Sequence, residues 1–311
     1  MPDGRSEKSE VRTEAERGGS TRGHLSGSVN RIVRARPPIG PLSSAELELL
    51  NKCIAWHVRP HRLVFLEGLA AISTSLRFDG SSVLELGATA QSTVSPFLVA
   101  RGATSTATCY SEREVPKLAD ALSLLVRQYG LASDRLKAGR ADVFALDQKA
   151  RFDLVVLKDV LGGLDREHNQ IVFREAVCHC LSVLNPNGHL LIIDKARSLG
   201  VIHWILKRLG SAGAHGWHYF TRNELKQLTP TEASEVAFSA RGVLSFGDLG
   251  GGLLQGVADF IDEHCVEKLV SLEKRVVFSV VLTRRDCTGL RSQGEGTSMS
   301  REEPWPGADR H

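Results

Sequence analysis

Ionisable or small residues stand at the ends of several apolar runs of the sequence. Glu85 and Gly87 close one such run, and Lys158 and Asp194 follow two others. A glycine at this position permits a tight turn and lets the backbone approach a ligand. Free N–H groups at the start of the next helix favour a carboxylate or another anion. These residue types predict a ligand site with an anion-binding turn after Glu85.

Alternating strands and helices are the elements that would position these residues. The runs Ser82–Leu86, Phe152–Leu157 and His189–Asp194 are apolar on both faces, and helical patterns separate them. Strands buried on both faces and joined through helices are typical of a parallel sheet covered on each side. Ligands bind at the carboxyl ends of such strands, where the strand order reverses. The sequence therefore predicts an α/β fold.

Helix starts are signalled by the capping-box spacing, in which Ser or Thr precedes Glu by three residues. This spacing begins at Ser43, Ser111 and Thr221. The first box opens a pair of helices that comes before the first strand. We also expect a helix over Ser92–Arg101 and a strand over Arg241–Phe246.

Composition excludes several classes of protein. The chain has 311 residues, a formal net charge of +3 and 42% apolar residues. No apolar run approaches the roughly 20 residues that a membrane-spanning helix needs. A weak basic excess is not that of a nucleic-acid-binding protein. We expect no membrane span and no nucleic-acid partner, and the oligomeric state stays open.

Polarity divides the chain into parts. Residues 1–30 and 286–311 contain few large apolar side chains, and we expect both to be disordered tails. Residues 31–78 are predicted to form an N-terminal helical cap, and 79–285 the α/β domain. No signal sequence is evident at Met1, so a cytoplasmic location with free thiols is expected. The group Cys178-His179-Cys180 has no second ligand pair, so no metal site is predicted.

Four motifs in order resemble class I S-adenosylmethionine-dependent methyltransferases. Val83–Gln91 is similar to the family's first motif, with an acidic residue, one spacer and a glycine turn. Phe152–Leu161 and Leu184–Asp194 resemble the fourth- and fifth-strand motifs, and Tyr219–Leu225 resembles a later helix start in small-molecule members. The resemblance covers about Ser82–Arg284. It implies a doubly wound, mostly parallel, seven-stranded Rossmann-like sheet.

The same resemblance implies S-adenosyl-L-methionine as cofactor and a small molecule as methyl acceptor. By position, the cofactor-binding candidates are Glu85, Gly87, Ala88, Thr89, Gln91, Cys109, Tyr110, Asp142, Val143 and Lys158. The segment Leu199–Phe220 would lie over the acceptor, where its aromatic and aliphatic residues either line an apolar pocket or belong to the core. If these residues line a pocket, the acceptor is expected to be a small, partly apolar molecule.

Several positions depart from the family pattern. Thr89 and Gln91 replace two glycines, Cys109 replaces the ribose-binding acid, and Gly162-Gly163 replaces a histidine that follows the fourth strand. The catalytic residue is therefore unknown from sequence. His168 and His218 are candidates.

These departures leave two alternatives open. One is a non-catalytic protein of the same fold with weakened cofactor binding and a binding or regulatory role. The other is a dinucleotide-binding dehydrogenase, although a Gly-x-Gly-x-x-Gly loop is missing.

Overall fold

The computed structural model describes residues 42–54, 59–164, 169–197, 217–243, 260–272 and 275–285. Both predicted tails lie outside these residues, as does most of the segment expected over the acceptor. The seven strands in this part of the chain are β1 Ser82–Leu86, β2 Thr104–Cys109, β3 Leu136–Arg140, β4 Phe152–Lys158, β5 Leu184–Lys195, β6 Ala233–Arg241 and β7 Val277–Arg284. The helices are α1 Ser44–Cys53, α2 Arg59–Ile72, α3 Ser95–Ala100, α4 Val115–Tyr129, α5 Gln170–Ser182, α6 Arg222–Leu228 and the short α7 Glu267–Leu269.

The strands form one sheet in the order β3-β2-β1-β4-β5-β7-β6. All neighbours pair in parallel except β7, which runs antiparallel to both β5 and β6. The order reverses between β1 and β4, so a crevice is expected at the carboxyl ends of these two strands. The predicted doubly wound, mostly parallel sheet of seven strands is confirmed.

Burial on both faces of the central strands explains their apolar sequence. In β4, Leu154 and Val156 pack on one face with Leu69 of α2 and Phe97 of α3. Val155 belongs to the core of the other face. The predicted pair of N-terminal helices is present, and its apolar residues share the first of these cores with the sheet.

The capping boxes at Ser43 and Thr221 are confirmed, since each side chain accepts from the N–H of the Glu three residues later. The box predicted at Ser111 is wrong. Residues Glu112–Glu114 form a 3₁₀ turn, and α4 begins only at Val115 with a proline in its first turn. Proline is favoured there because the missing N–H would have no helical partner.

The strand predicted over Arg241–Phe246 is wrong at its start, because β6 ends at Arg241, and residues 244–246 lie outside the described residues. Small and polar residues give β6 little apolar signal, as expected for a strand at the edge of the sheet.

Arg241 holds this edge in place through ion pairs with Glu67 of α2 and Glu267 of α7. Residues Asp262–Val266 form a π-helical turn before α7. The Asp262 and Glu267 carboxylates accept the N–H groups of Val243 and Gly242 at the end of β6.

His189 joins three parts of the fold inside the protein. Its Nε2 lies 2.9 Å from Ser75 Oγ, and its Nδ1 lies 2.8 Å from Thr283 Oγ1. Burial lowers the pKa of His189 below its ordinary value, so the folded state favours the neutral ring.

We expect the free energy of unfolding to fall as the pH drops through and below about 6.5, the ordinary histidine pKa. Below that pH the unfolded chain binds a proton at His189 that the folded chain disfavours. Urea denaturation of the wild type and His189→Asn at about pH 7.5 and about pH 5.5 measures the effect. The variant should lose part of the pH dependence. An unchanged dependence would contradict this role.

Candidate functional site

The end of β1 is organised by the buried carboxylate of Glu85, which has 0% exposure. It accepts the N–H groups of Val94 and Ser95 at 2.9–3.0 Å and the hydroxyls of Thr93 and Ser95 at 2.7 Å. These donors form the N-terminal end of α3. The positive end of that helix is therefore already neutralised from within the protein.

The loop after β1 is a closed turn. Thr89 and Ser92 pair through both of their backbone N–H groups, so α3 begins at Ser95 and not at the predicted Ser92. Ala88 is buried and donates its N–H to the Thr108 carbonyl. The side chains of Thr89 and Gln91 are exposed.

Gly87 adopts a φ of 84°, a left-handed conformation that favours glycine. A Cβ at this position would lie 2.4 Å from the Lys158 carbonyl oxygen. The glycine is thus required for the contact between the ends of β1 and β4. The close approach is to protein backbone.

The ends of β2 and β3 carry exposed aromatic residues. Tyr110 is 71% exposed and Phe144 is 37% exposed. Asp142 lies beside Phe144, whose N–H it accepts at 3.0 Å, and Val143 is buried. An exposed aromatic face and a carboxylate acceptor suit a flat, nitrogen-rich ring such as adenine.

Cys109 at the end of β2 is a buried thiol. Its Sγ donates to the Ser111 carbonyl at 3.4 Å, and burial raises its pKa. The neighbouring acid, Glu112, is paired with Arg140 at 2.8 Å. The side chain that replaces the family's ribose-binding acid is therefore a weak donor turned toward the protein backbone.

The end of β4 presents a buried lysine and a strained aspartate. Lys158 is 4% exposed, and its ammonium donates to Ser92 Oγ at 2.8 Å. Asp159 has a φ of 49°, which is uncommon for a residue other than glycine. Its Oδ1 lies 3.6 Å from Nε2 of His61, a residue of α2.

The end of β5 carries a second fully buried carboxylate, that of Asp194. It accepts the N–H groups of Gly162 at 3.1 Å and Lys195 at 2.8 Å, and the indole N–H of Trp217 at 3.1 Å. Burial, and then the nearby Asp159, raise the pKa of Asp194 to about 6. A buried acid with a raised pKa at the carboxyl end of a parallel sheet marks a candidate site.

Trp217 lies against Gly162 and Gly163, the pair that stands where the family pattern has a histidine. A Cβ on Gly162 would lie 2.1 Å from Trp217 Nε1, and one on Gly163 would lie 2.9 Å from the indole ring. The Lys195 ammonium lies over the same indole, 4.5 Å from its centroid. The two glycines thus create the space that this half-buried indole fills.

The two histidines predicted as catalytic candidates have different outcomes. His168 lies outside the described residues. His218 packs its ring against Phe173 and Phe220 at centroid distances of 5.1 and 4.6 Å, and its Nε2 lies 3.4 Å from Glu224. Phe220, expected near the acceptor, is fully buried and belongs to the core.

Sequence reasoning missed His61 as a site residue. It comes from a helix that precedes the first strand, and no motif surrounds it. Asp194 was placed at a strand end, but its contact with Trp217 depends on tertiary structure. The fold brings His61, Asp159, Asp194 and Trp217 to the ends of β4 and β5 beside the crevice.

The described residues at the ends of β2 and β3 suit an adenosine group. The start of α3, in contrast, offers no unoccupied N–H groups of Val94 or Ser95 to an anion. Tyr110, Asp142 and Phe144 offer aromatic and carboxylate groups, whereas the N–H groups of α3 are taken by Glu85. The ammonium of Lys158 contacts Ser92 of the β1–α3 loop.

Comparison with known proteins gives a match to a protein family. Residues 56–232, more than half of the chain, match the family model described as "Methyltransferase domain". The chain belongs to this methyltransferase family, as the sequence motifs predicted. No curated protein matches the chain.

The solved structures to which the chain shows similarity include that of the N-methyltransferase NodS of Bradyrhizobium japonicum WM9. It is 17% identical over 73% of this chain and 98% of its own, with a TM-score of 0.42. A methyltransferase of Methanosarcina mazei is 14% identical over 69% of this chain and 96% of its own, with a TM-score of 0.48. A methyltransferase of Clostridium acetobutylicum is 9% identical over 77% of this chain and 97% of its own, with a TM-score of 0.49.

Membrane spans, metal sites and disulfides were also sought among the described residues. None of their helices is long and apolar enough to cross a membrane. No group of three His, Cys, Asp or Glu side chains within these ranges is placed to hold a metal ion, and the cysteines there are free thiols.

Replacing the buried acid in Glu85→Gln is expected to lower the free energy of unfolding by about 2–4 kcal/mol. Hydrogen bonds to a charged acceptor contribute about 1.5–3 kcal/mol each, and the amide would turn N–H groups toward other donors. Chemical denaturation measures the change. The matched control is Glu112→Gln, whose carboxylate is 78% exposed and should matter little. Equal effects of the two variants would contradict the capping role.

The variant Gly162→Ala is expected to displace the Trp217 indole and cost about 1–3 kcal/mol of stability, because the new methyl overlaps the ring. The indole N–H resonance of Trp217, identified with Trp217→Phe, reports the displacement. Gly139→Ala is the control, since its new Cβ would lie 3.8 Å from Thr108 Cγ2, an ordinary van der Waals contact. An unmoved resonance in Gly162→Ala would refute the described packing.

Proposed function

We propose that this protein transfers a methyl group from S-adenosyl-L-methionine to a small, partly apolar molecule. The observation that carries the proposal is the half-buried Trp217 indole, which lies on Gly162 and Gly163 beside the buried Asp194. This apolar wall adjoins the crevice between β1 and β4, where the topology predicts the cofactor. A wall of one indole on two glycines suits a compact acceptor.

Residues at the ends of β2 and β3 are proposed to hold the adenosine half of the cofactor. Tyr110 and Phe144 supply exposed aromatic faces, and Asp142 supplies an acceptor for an amino group. The buried Cys109 leaves the ribose to be held by backbone groups or by Glu112.

The methionine half is proposed to lie along the turn formed by Gly87–Ser92. The N–H groups of α3 are bonded to Glu85, so the cofactor carboxylate requires another positive partner. The Lys158 ammonium, held by Ser92 Oγ at 2.8 Å, is placed for that role. When bound, the cofactor supplies an electrophilic methyl group on a sulfonium.

Positioning is proposed to supply most of the rate, because aligning two reactants removes much of the entropic barrier. The acceptor nucleophile would face the end of β4, where Asp159 lies 3.6 Å from His61. An acceptor that loses a proton on methylation would pass it to this carboxylate–imidazole pair. His218, which packs between Phe173 and Phe220, is better placed to support the wall than to take this proton.

Binding of cofactor and product tests the proposal. Isothermal titration calorimetry should show binding of S-adenosyl-L-methionine and S-adenosylhomocysteine by the folded protein. Formation of S-adenosylhomocysteine with a panel of small acceptors then tests transfer. A folded sample that binds neither compound at millimolar concentration would overturn the proposal and favour the non-catalytic alternative. A nicotinamide cofactor that raised the melting temperature instead would favour a dehydrogenase.

Tyr110→Ala should weaken binding of S-adenosylhomocysteine by about five- to tenfold, because loss of one aromatic contact is worth about 1 kcal/mol. Leu124→Ala, which removes another exposed apolar side chain on α4, is the control. Its affinity should equal that of the wild type. Unchanged affinity in Tyr110→Ala would place the adenosine elsewhere.

We propose that the reaction takes place in the cytoplasm.

A further inference from the structure

Two cations stand at the carboxyl end of β5. Lys195 is the last residue of that strand, and Arg197 lies two positions further on. The backbone here is locked to a second segment, since Phe220 donates its N–H to the Lys195 carbonyl at 3.2 Å and Arg197 donates to the Phe220 carbonyl at 2.9 Å. The position of Lys195 is therefore set by paired backbone on this side and by β7 on the other.

The Lys195 ammonium lies over the indole of Trp217, 4.5 Å from its centroid. Its neighbour Asp194 forms no ion pair with this ammonium; the Asp194 oxygens accept from Gly162, Trp217 and the Lys195 backbone. Within the part of the chain that the structure describes, no carboxylate lies within 4.0 Å of the Lys195 ammonium. An aromatic face orients a cation without cancelling its charge.

We infer that Lys195, held over Trp217, recognises an oxyanion of the methyl acceptor, so that the acceptor is a small, partly apolar acid. The inference rests on the proposed function and adds the chemical class of the acceptor. A lysine ammonium binds a carboxylate or a phosphate as a compact point charge. Trp217 accounts for the apolar part of the acceptor, and Lys195 for its charge.

The charge pattern also orients the acceptor. Asp159 at the end of β4 donates its N–H to Ile193 of β5 at 2.9 Å, so the two strand ends are direct neighbours. Adjacent strands are spaced roughly 4.8 Å apart. An anion at Lys195 would point its other end toward Asp159 and His61.

Three probes of one shape test the inference: 4-hydroxybenzoate, its neutral amide 4-hydroxybenzamide, and 4-hydroxyphenyl phosphate. Their affinities are measured by calorimetry with S-adenosylhomocysteine present. At least one anionic probe should bind the wild type about tenfold or more tightly than the amide does. The stronger of the two anions identifies the carboxylate or the phosphate as the natural group.

Two substitutions assign the preference to Lys195. Lys195→Met should bind the anions and the amide alike, whereas Lys195→Arg should keep most of the preference. A merely structural role would weaken all three probes equally and would not be rescued by arginine. Both variants should bind S-adenosylhomocysteine as the wild type does.

Two results would overturn the inference alone: no anion preference in the wild type, or a preference that survives in Lys195→Met. Failure of all three probes to bind a protein that binds S-adenosylhomocysteine would also overturn it. Loss of S-adenosylhomocysteine binding by the wild type would instead overturn the proposed function on which it rests.

Discussion

Burying a charged carboxylate without hydrogen-bond donors would cost a large free energy of desolvation. The buried carboxylate of Glu85 accepts hydrogen bonds from the residues at the start of α3. Two N–H groups and two hydroxyls converge on it. The same contacts set where α3 begins, how long the β1–α3 loop is and which way that loop turns. Because Gly87 in this loop touches the Lys158 carbonyl, the end of β1 also sets the end of β4.

Asp194 is a second buried carboxylate, at the end of β5, and its hydrogen-bond donors are of a different kind. It accepts from two backbone N–H groups and one indole, while Asp159 lies close enough to raise its pKa. Glu85 thus organises the side of the crevice where we propose the cofactor, and Asp194 organises the side where we propose the acceptor. The two halves of the candidate site are separate hydrogen-bonded units that meet at the end of β4.

The elements that were predictable share a strong local signal. The β4 run Phe152–Leu157 is apolar on both faces and is a central strand. The capping boxes at Ser43 and Thr221 predict their helix starts from four consecutive residues. The edge strand β6 has no such signal, and it was placed eight residues too late. Its position depends on Arg241 bonding to Glu67 and Glu267, which are distant in sequence.

The candidate site was predictable to the extent that strand ends define it. Gly87, Cys109, Tyr110 and Lys158 all lie at such ends, and their roles in binding stay predictions. The direction of a side chain could not be derived from sequence. Glu85 turns inward to α3 because the donors of Thr93–Ser95 face it, and His61 reaches Asp159 from a helix more than ninety positions earlier.

The short pairing of Ala196 with Phe220 has a consequence for how such a protein can change. It joins two distant points of the chain beside Trp217 through backbone hydrogen bonds. Doubling the length of a flexible loop costs only about 0.6 kcal/mol. Changes in the number of residues between Ala196 and Phe220 are therefore expected to cost the sheet little stability, because the pairing of its two ends stays the same.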